Sequence, residues 1–109
     1  MPNLIPPQSR DLVRTRDMDQ CVRCAGRGYE WHHRRSRRVR DDHTHCPCVG
    51  VLLCRTCHLW VHAHVFEARR QGLIVSQYQT APSTVPVFTH LGLLLMDCEG
   101  RMEYLREEF

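Results

Sequence analysis

Cysteine and histidine recur through one window of the chain at spacings that metal ions use. Cys21-Val22-Arg23-Cys24 is one Cys-x-x-Cys pair, Trp31-His32-His33 follows, and Cys54-Arg55-Thr56-Cys57-His58 runs on to His62. A Cys-x-x-Cys turn delivers two thiolates from one short loop, and two such turns complete the tetrahedral set that zinc prefers. Cys21, Cys24, Cys54 and Cys57 are therefore read as a closed structural zinc site. Residues 25–53 separate the pairs, a longer stretch than the roughly 15–20 residues of a simple zinc ribbon, and a strand–loop–strand excursion fills it. His58 and His62 are four apart, so on a helix they share a face and grip one cation together. His32 and His33 are adjacent, and on a strand they point to opposite faces. Either one binds metal while its neighbour does a different job, or a bulge or twist sends both to the same cleft.

The chemistry open to such a set is proton transfer beside a divalent cation. A neutral imidazole titrates near neutrality and accepts a proton readily, and all-imidazole ligation suits zinc, nickel or cobalt better than magnesium. Other candidates are less organised. Cys46-Pro47-Cys48, with His43 and His45, is a competing ligand set that binds metal itself or replaces one pair. The alternative is free thiols in an exposed loop with both histidines solvated. Cys98 reads as packing, His64 as a surface or phosphate-contacting residue, and His90 belongs to no constellation. Trp31 and Trp60 read as core residues rather than base-stacking platforms.

Placing these groups requires few elements. Residues 1–8 read as a flexible arm, and Ser9 caps a short helix to about Asp19 with Leu12 and Val13 as its apolar face. The first Cys pair and a Gly-containing turn occupy 20–28, and 29–35 reads as a strand. A charged connection runs from 36 to about 48, and 49–53 is a second strand. A helix from about Arg55 to Gln71 then ends at Gly72, with Leu59, Val61, Val65, Phe66 and Ala68 as its apolar face. Beyond it, 73–75, 85–88 and 91–96 read as strands. The expectation is an α+β fold with a 9–72 domain and a strand-rich 73–109 extension.

Composition bounds the rest. The 109 residues, 42% of them hydrophobic, suit one domain with a thin core that a metal would reinforce and exclude general disorder. All 15 basic residues are Arg, and six of them lie between Arg27 and Arg40. Guanidinium forks suit phosphate, so Arg34, Arg35, Arg37 and Arg38 are the candidate nucleic-acid contacts, and an Arg-rich loop grips backbone without reading bases. The seven cysteines follow no secretory leader, which predicts a reducing, intracellular (cytoplasmic) setting in which paired Cys serve as ligands. The longest apolar run, 91–96, is far too short to cross a bilayer, so no membrane partner is expected.

From Cys21 to about His64 the chain resembles the HNH endonucleases, the ββα-metal (His-Me finger) enzymes, in their phage form with a four-cysteine zinc site. The likeness rests on the two Cys pairs, the His pair after an aromatic, the strand before the second pair, and the Cys-His start followed by a His four on. The helix running into Arg16-Asp17 resembles the family too, and the tail from Gly72 resembles the extension of actinobacterial phage members. The resemblance implies hydrolysis of phosphodiesters in double-stranded DNA, leaving 5′-phosphate and 3′-hydroxyl ends. It implies His33 as general base and His32, His58 and His62 as ligands of a catalytic divalent cation (Mg2+, Mn2+, Ni2+ or Zn2+). It also implies a phage protein acting in the host cell near the packaging machinery. One departure stands out: the family's loop-pinning Asn corresponds to Val49. Either another group pins the loop, or the chain is a catalytically impaired, zinc-stabilised DNA-binding module, and Val49→Asn is then expected to raise cleavage.

Overall fold

The computed structural model describes residues 4–105; the first three residues of the expected arm and the last four of the tail lie outside that range. The first helix, α1 (Pro7–Asp17), begins on a proline whose fixed φ suits the first turn. It ends at Met18 in the left-handed region, where the Met18 amide turns back to the last carbonyls. Val13 is fully buried on its inner side.

The same helix is locked down by charge. Arg16 Nε donates to Asp17 Oδ1 at 2.7 Å, and its two terminal nitrogens donate to the carbonyls of Pro47 (2.7 Å) and Gly50 (2.6 Å). Asp17 Oδ2 accepts from the Leu52 amide at 3.0 Å. A buried pair survives only when its remaining donors and lone pairs are met, and here they are met by main chain that α1 must dock against.

Strands β1 (Glu30–His33) and β2 (Gly50–Leu53) form an antiparallel pair, with Glu30 opposite Leu53 and His33 opposite Gly50. All four residues of β2 are buried, as a run of Gly-Val-Leu-Leu without polar alternation implies. Gly50 has a steric reason: a Cβ there would fall inside the Trp31 indole. The hairpin leads into α2 (Arg55–Ala63), whose cap is Cys54, its Sγ accepting from the Cys57 amide at 3.4 Å.

The expected single helix over 55–71 is two. At His64 the backbone leaves the helical region (φ −128°, ψ 57°), and α3 (Val65–Arg70) restarts from it. The break redistributes the apolar face. Val61 and Ala68 are buried as expected, but Leu59, Val65 and Phe66 are exposed. Gly72 ends α3 at φ 74°, where any side chain would collide with the Pro86 carbonyl oxygen.

Residues 73–75 form no strand of their own, only a parallel bridge between Arg35 and Val75 that continues the edge of β1. A short 3-10 turn (Pro82–Thr84) precedes an antiparallel sheet of β3 (Val87–Thr89), β4 (Gly92–Met96) and β5 (Met102–Tyr104). The last strand lies beyond those expected from the sequence. Leu73, Val87 and Met96 share one buried cluster with Cys21, Val51, Leu53 and Val61, so the core continues beyond residue 72 into the tail. No helix among the described residues is long and apolar enough to cross a membrane.

Candidate metal centres and the histidine cleft

The first knuckle folds by tight local bonding: the Cys21 amide donates to the Gly26 carbonyl at 2.6 Å and the Gly26 amide to Cys24 Sγ at 3.4 Å. With Cys54 capping α2, all four thiols of Cys21, Cys24, Cys54 and Cys57 converge, every Sγ within 4.8 Å of the others. The Cys24–Cys54 sulfur separation is 3.8 Å and none of the cysteines is disulfide-bonded. A tetrahedron with metal–sulfur bonds of about 2.3 Å has edges of about 3.8 Å, so the four thiols can hold a metal ion such as zinc. Arg23 adds a cation beside it, donating to Cys57 Sγ at 3.4 Å while lying 3.8 Å from the Trp60 ring centroid.

Strand alternation gives the paired histidines different neighbours. Glu30 and His32 share the face of β1 turned to α2, and Trp31 and His33 take the other. His32, His58 and His62 form one cluster whose ligand atoms lie within 4.8 Å of one another, and His33 is not a member. His32 Nδ1 and His58 Nε2 are 3.3 Å apart. Two nitrogens on a tetrahedral metal at about 2.0–2.1 Å are about 3.3–3.4 Å apart.

The outer nitrogens of two rings are tied down. His32 Nε2–H donates to the Leu73 carbonyl at 2.6 Å, and His58 Nδ1–H donates to Glu30 Oε1 at 2.9 Å. Each bond fixes the tautomer so that the other nitrogen offers its lone pair to the cluster. Carbonyl or carboxylate behind imidazole is the usual support of a metal-bound histidine. Two neutral rings would otherwise gain little from facing each other with lone pairs. The donor set and its backing therefore fit a divalent cation. Sequence reading missed Glu30 as a supporting residue, although its place two before His32 put it on the same face.

His33 has different company. Its Nε2 lies 3.1 Å from His45 Nδ1, and its ring is 5.8 Å from that of Trp31. His45, expected to be solvated, is half-buried, and its Nε2 is buried without a hydrogen-bond partner. His33 nevertheless opens into the same cleft as His32 and His62, a space of about 460 Å³ also lined by Arg69, Ser76 and Tyr78. Burial, followed by the charge of Arg37 and the neighbouring His45 and His32, pushes the His33 imidazole down to about 4. Burial likewise holds His32 at about 4 against the Leu73 bond, which favours protonation. Both are neutral at physiological pH.

Two of the four Arg expected on phosphate are elsewhere. Arg34 is 1% exposed and donates to the carbonyls of Gly72 (2.8 Å), Cys48 (2.6 Å) and Val85 (2.6 Å). Arg35 is 2% exposed and reaches the Gln79 carbonyl (2.8 Å) and Asp41 (2.6 Å). These side chains spend their donors inside the fold, although Arg34 also borders the histidine cleft. A basic run looks solvated in sequence, whereas Arg34 and Arg35 follow directly from β1 into the core. Arg37 and Arg38 are exposed.

Cys98 is not merely packed. Its Sγ joins His43, Cys46 and Cys48 in a third cluster, so the Cys-Pro-Cys segment neither replaces a knuckle nor stands free. Trp60 carries Arg23 and stacks on His64 at 5.0 Å. Val49 is fully buried. No family model matches the chain, and no match exists among the curated proteins or the solved structures compared with it.

Proposed function

We propose that the chain is a metal-dependent endonuclease of the HNH, ββα-metal type that hydrolyses DNA phosphodiester bonds. The observation that carries this reading is the convergence of His32, His58 and His62, two of them backed by outer hydrogen bonds, in a cleft that His33 also lines. The β1–β2 hairpin leading into α2, with a four-thiol cluster at its base, supports the ββα assignment.

His32, His58 and His62 would hold the cation, which when bound supplies charge to neutralise the phosphate and the leaving 3′ oxygen. His33 is the general base. It is neutral at working pH and stands in the cleft, where it takes a proton from the attacking water. The tautomer that serves has His33 Nε2–H donating to His45 Nδ1, which leaves His33 Nδ1 to receive the proton and lets His45 stabilise the imidazolium. Arg37 and Arg38 grip flanking phosphates, with Arg69 at the cleft wall. The partner is double-stranded DNA; a phage origin and a place near genome packaging rest on the family likeness alone.

Val49 favours a second reading, a DNA-binding module that does not cut. Against it, the loop end that the family pins with Asn is pinned here by Arg34 through the Cys48 carbonyl. A fully buried amide at position 49 costs stability unless it is hydrogen-bonded, so Val49→Asn is expected to raise cleavage only where its side chain also pins the loop. Nicking of supercoiled plasmid by wild type and His33→Ala, with each of Mg2+, Mn2+, Ni2+ and Zn2+, tests the choice. The nuclease reading expects metal-dependent nicking that falls about 10²–10⁴-fold in the variant. Salt-dependent DNA binding without nicking by either protein leaves the module.

A further inference from the structure

The Cys-Pro-Cys loop and the distant β4–β5 turn meet at one point. Cys48 Sγ lies 3.8 Å from His43 Nδ1, and Cys98 Sγ lies 3.6 Å from the same nitrogen. With Cys46 Sγ, these four atoms all fall within 4.8 Å of one another. A tetrahedral zinc with one nitrogen at about 2.0–2.1 Å and sulfurs at about 2.3 Å has nitrogen–sulfur edges of about 3.6 Å. Hydrogen bonding alone gives no reason for three sulfurs to crowd one imidazole. The cysteine inventory agrees. Four of the seven cysteines lie in the knuckle cluster and the other three lie here, so no thiol is left over.

We propose that His43, Cys46, Cys48 and Cys98 form a second closed zinc centre, additional to the four-thiol one, that clasps loop 36–48 to the C-terminal sheet. The clasp joins residues 55 positions apart, so it replaces a long-range packing contact that a small core does not provide. His45 lies between two of the ligands and touches His33, so the clasp also fixes the loop that flanks the cleft. The proposal does not depend on nuclease activity.

Zinc counting on the full chain tests it. In a His62→Ala background, which removes the open histidine site from the count, protein purified with zinc and dialysed against a mild chelator should retain two zinc ions per chain. Cys98→Ser and His43→Ala in that background should each retain one, with an unchanged circular dichroism spectrum because Cys98 is on an exposed turn. Cobalt substitution should show sulfur-to-metal charge transfer from seven thiolates, falling to the intensity of four in Cys98→Ser. Trypsin should then cut faster after Arg37, Arg38 and Arg40, far in sequence from the substitution. One zinc in the parent, two in Cys98→Ser, or a disulfide among Cys46, Cys48 and Cys98 by intact mass would overturn the proposal.

Discussion

At residue scale, adjacent side chains with the same chemistry have opposite duties. Arg34 sits in the core, where burial pushes its guanidinium down to about 10, still charged at neutral pH. Arg34→Met would leave the carbonyls of Gly72, Cys48 and Val85 without their donor, and each orphaned acceptor costs about 1–3 kcal/mol. A loss of about 3 kcal/mol or more is expected in urea unfolding. Arg38→Ala should leave the urea midpoint unchanged and weaken DNA binding, with a shallower salt dependence. An equal loss of stability in both would mean that Arg38 is structural too.

The buried histidines set a pH window at the same scale. His32 and His33 titrate near 4 in the folded chain, against about 6.5 when unfolded. Between those values the unfolded chain binds protons that the folded chain does not, so stability falls as pH drops from about 6.5 to about 4 and is level above that. Urea midpoints measured across this range should decline toward acid, and His33→Gln should flatten the decline. A midpoint that rises toward acid would contradict the burial of these rings. Alternation along a strand made different neighbours for His32 and His33 legible, but not whether both would open into one cleft, which they do. The fate of Arg34 and Arg35 was not legible, because composition marks a basic run as solvated and only tertiary packing shows which guanidinium finds carbonyls.

At element scale, the knuckles, β1, β2 and the start of α2 follow from local chemistry: Cys-x-x-Cys turns, a Gly-Val-Leu-Leu run, and Cys54 as cap. The break at His64 was hidden because Leu59, Val65 and Phe66 continue a helical period that the structure leaves facing outward. Periodicity reports which positions share a face, not whether anything covers it. The β1–β2 pair depends on Trp31 lying over Gly50. Gly50→Ala forces the indole aside and should cost about 1–3 kcal/mol by overpacking. It should also shift the tryptophan near-ultraviolet dichroism. Unchanged stability would mean that the hairpin tolerates another register of packing.

At the scale of the whole molecule, one continuous core runs from the four-cysteine cluster into the C-terminal sheet, and zinc at the two cysteine-containing clusters would reinforce it. A core this small is marginal without cross-links, so strong chelation should lower the thermal midpoint sharply and restored zinc should recover it. A midpoint indifferent to chelator would mean that the core suffices alone. The clasp through Cys98 could not be read in sequence. Its fourth ligand arrives from a turn between two strands, one of which was not anticipated, and spacing rules describe ligands that are near neighbours. The pairing of His58 with His62 was legible from the four-residue step on α2, the addition of His32 came from the family resemblance, and the Leu73 carbonyl behind it required the fold.

The most direct test of the central claim is plasmid nicking as a function of added divalent metal, compared between wild type and His62→Ala at matched DNA occupancy. His62 is the exposed member of the cluster. A metal-dependent endonuclease should show a rate that saturates with metal in wild type and collapses in His62→Ala, with DNA binding and the thermal midpoint retained. Equal nicking by the two proteins, or none by wild type with any of the four metals, would contradict it.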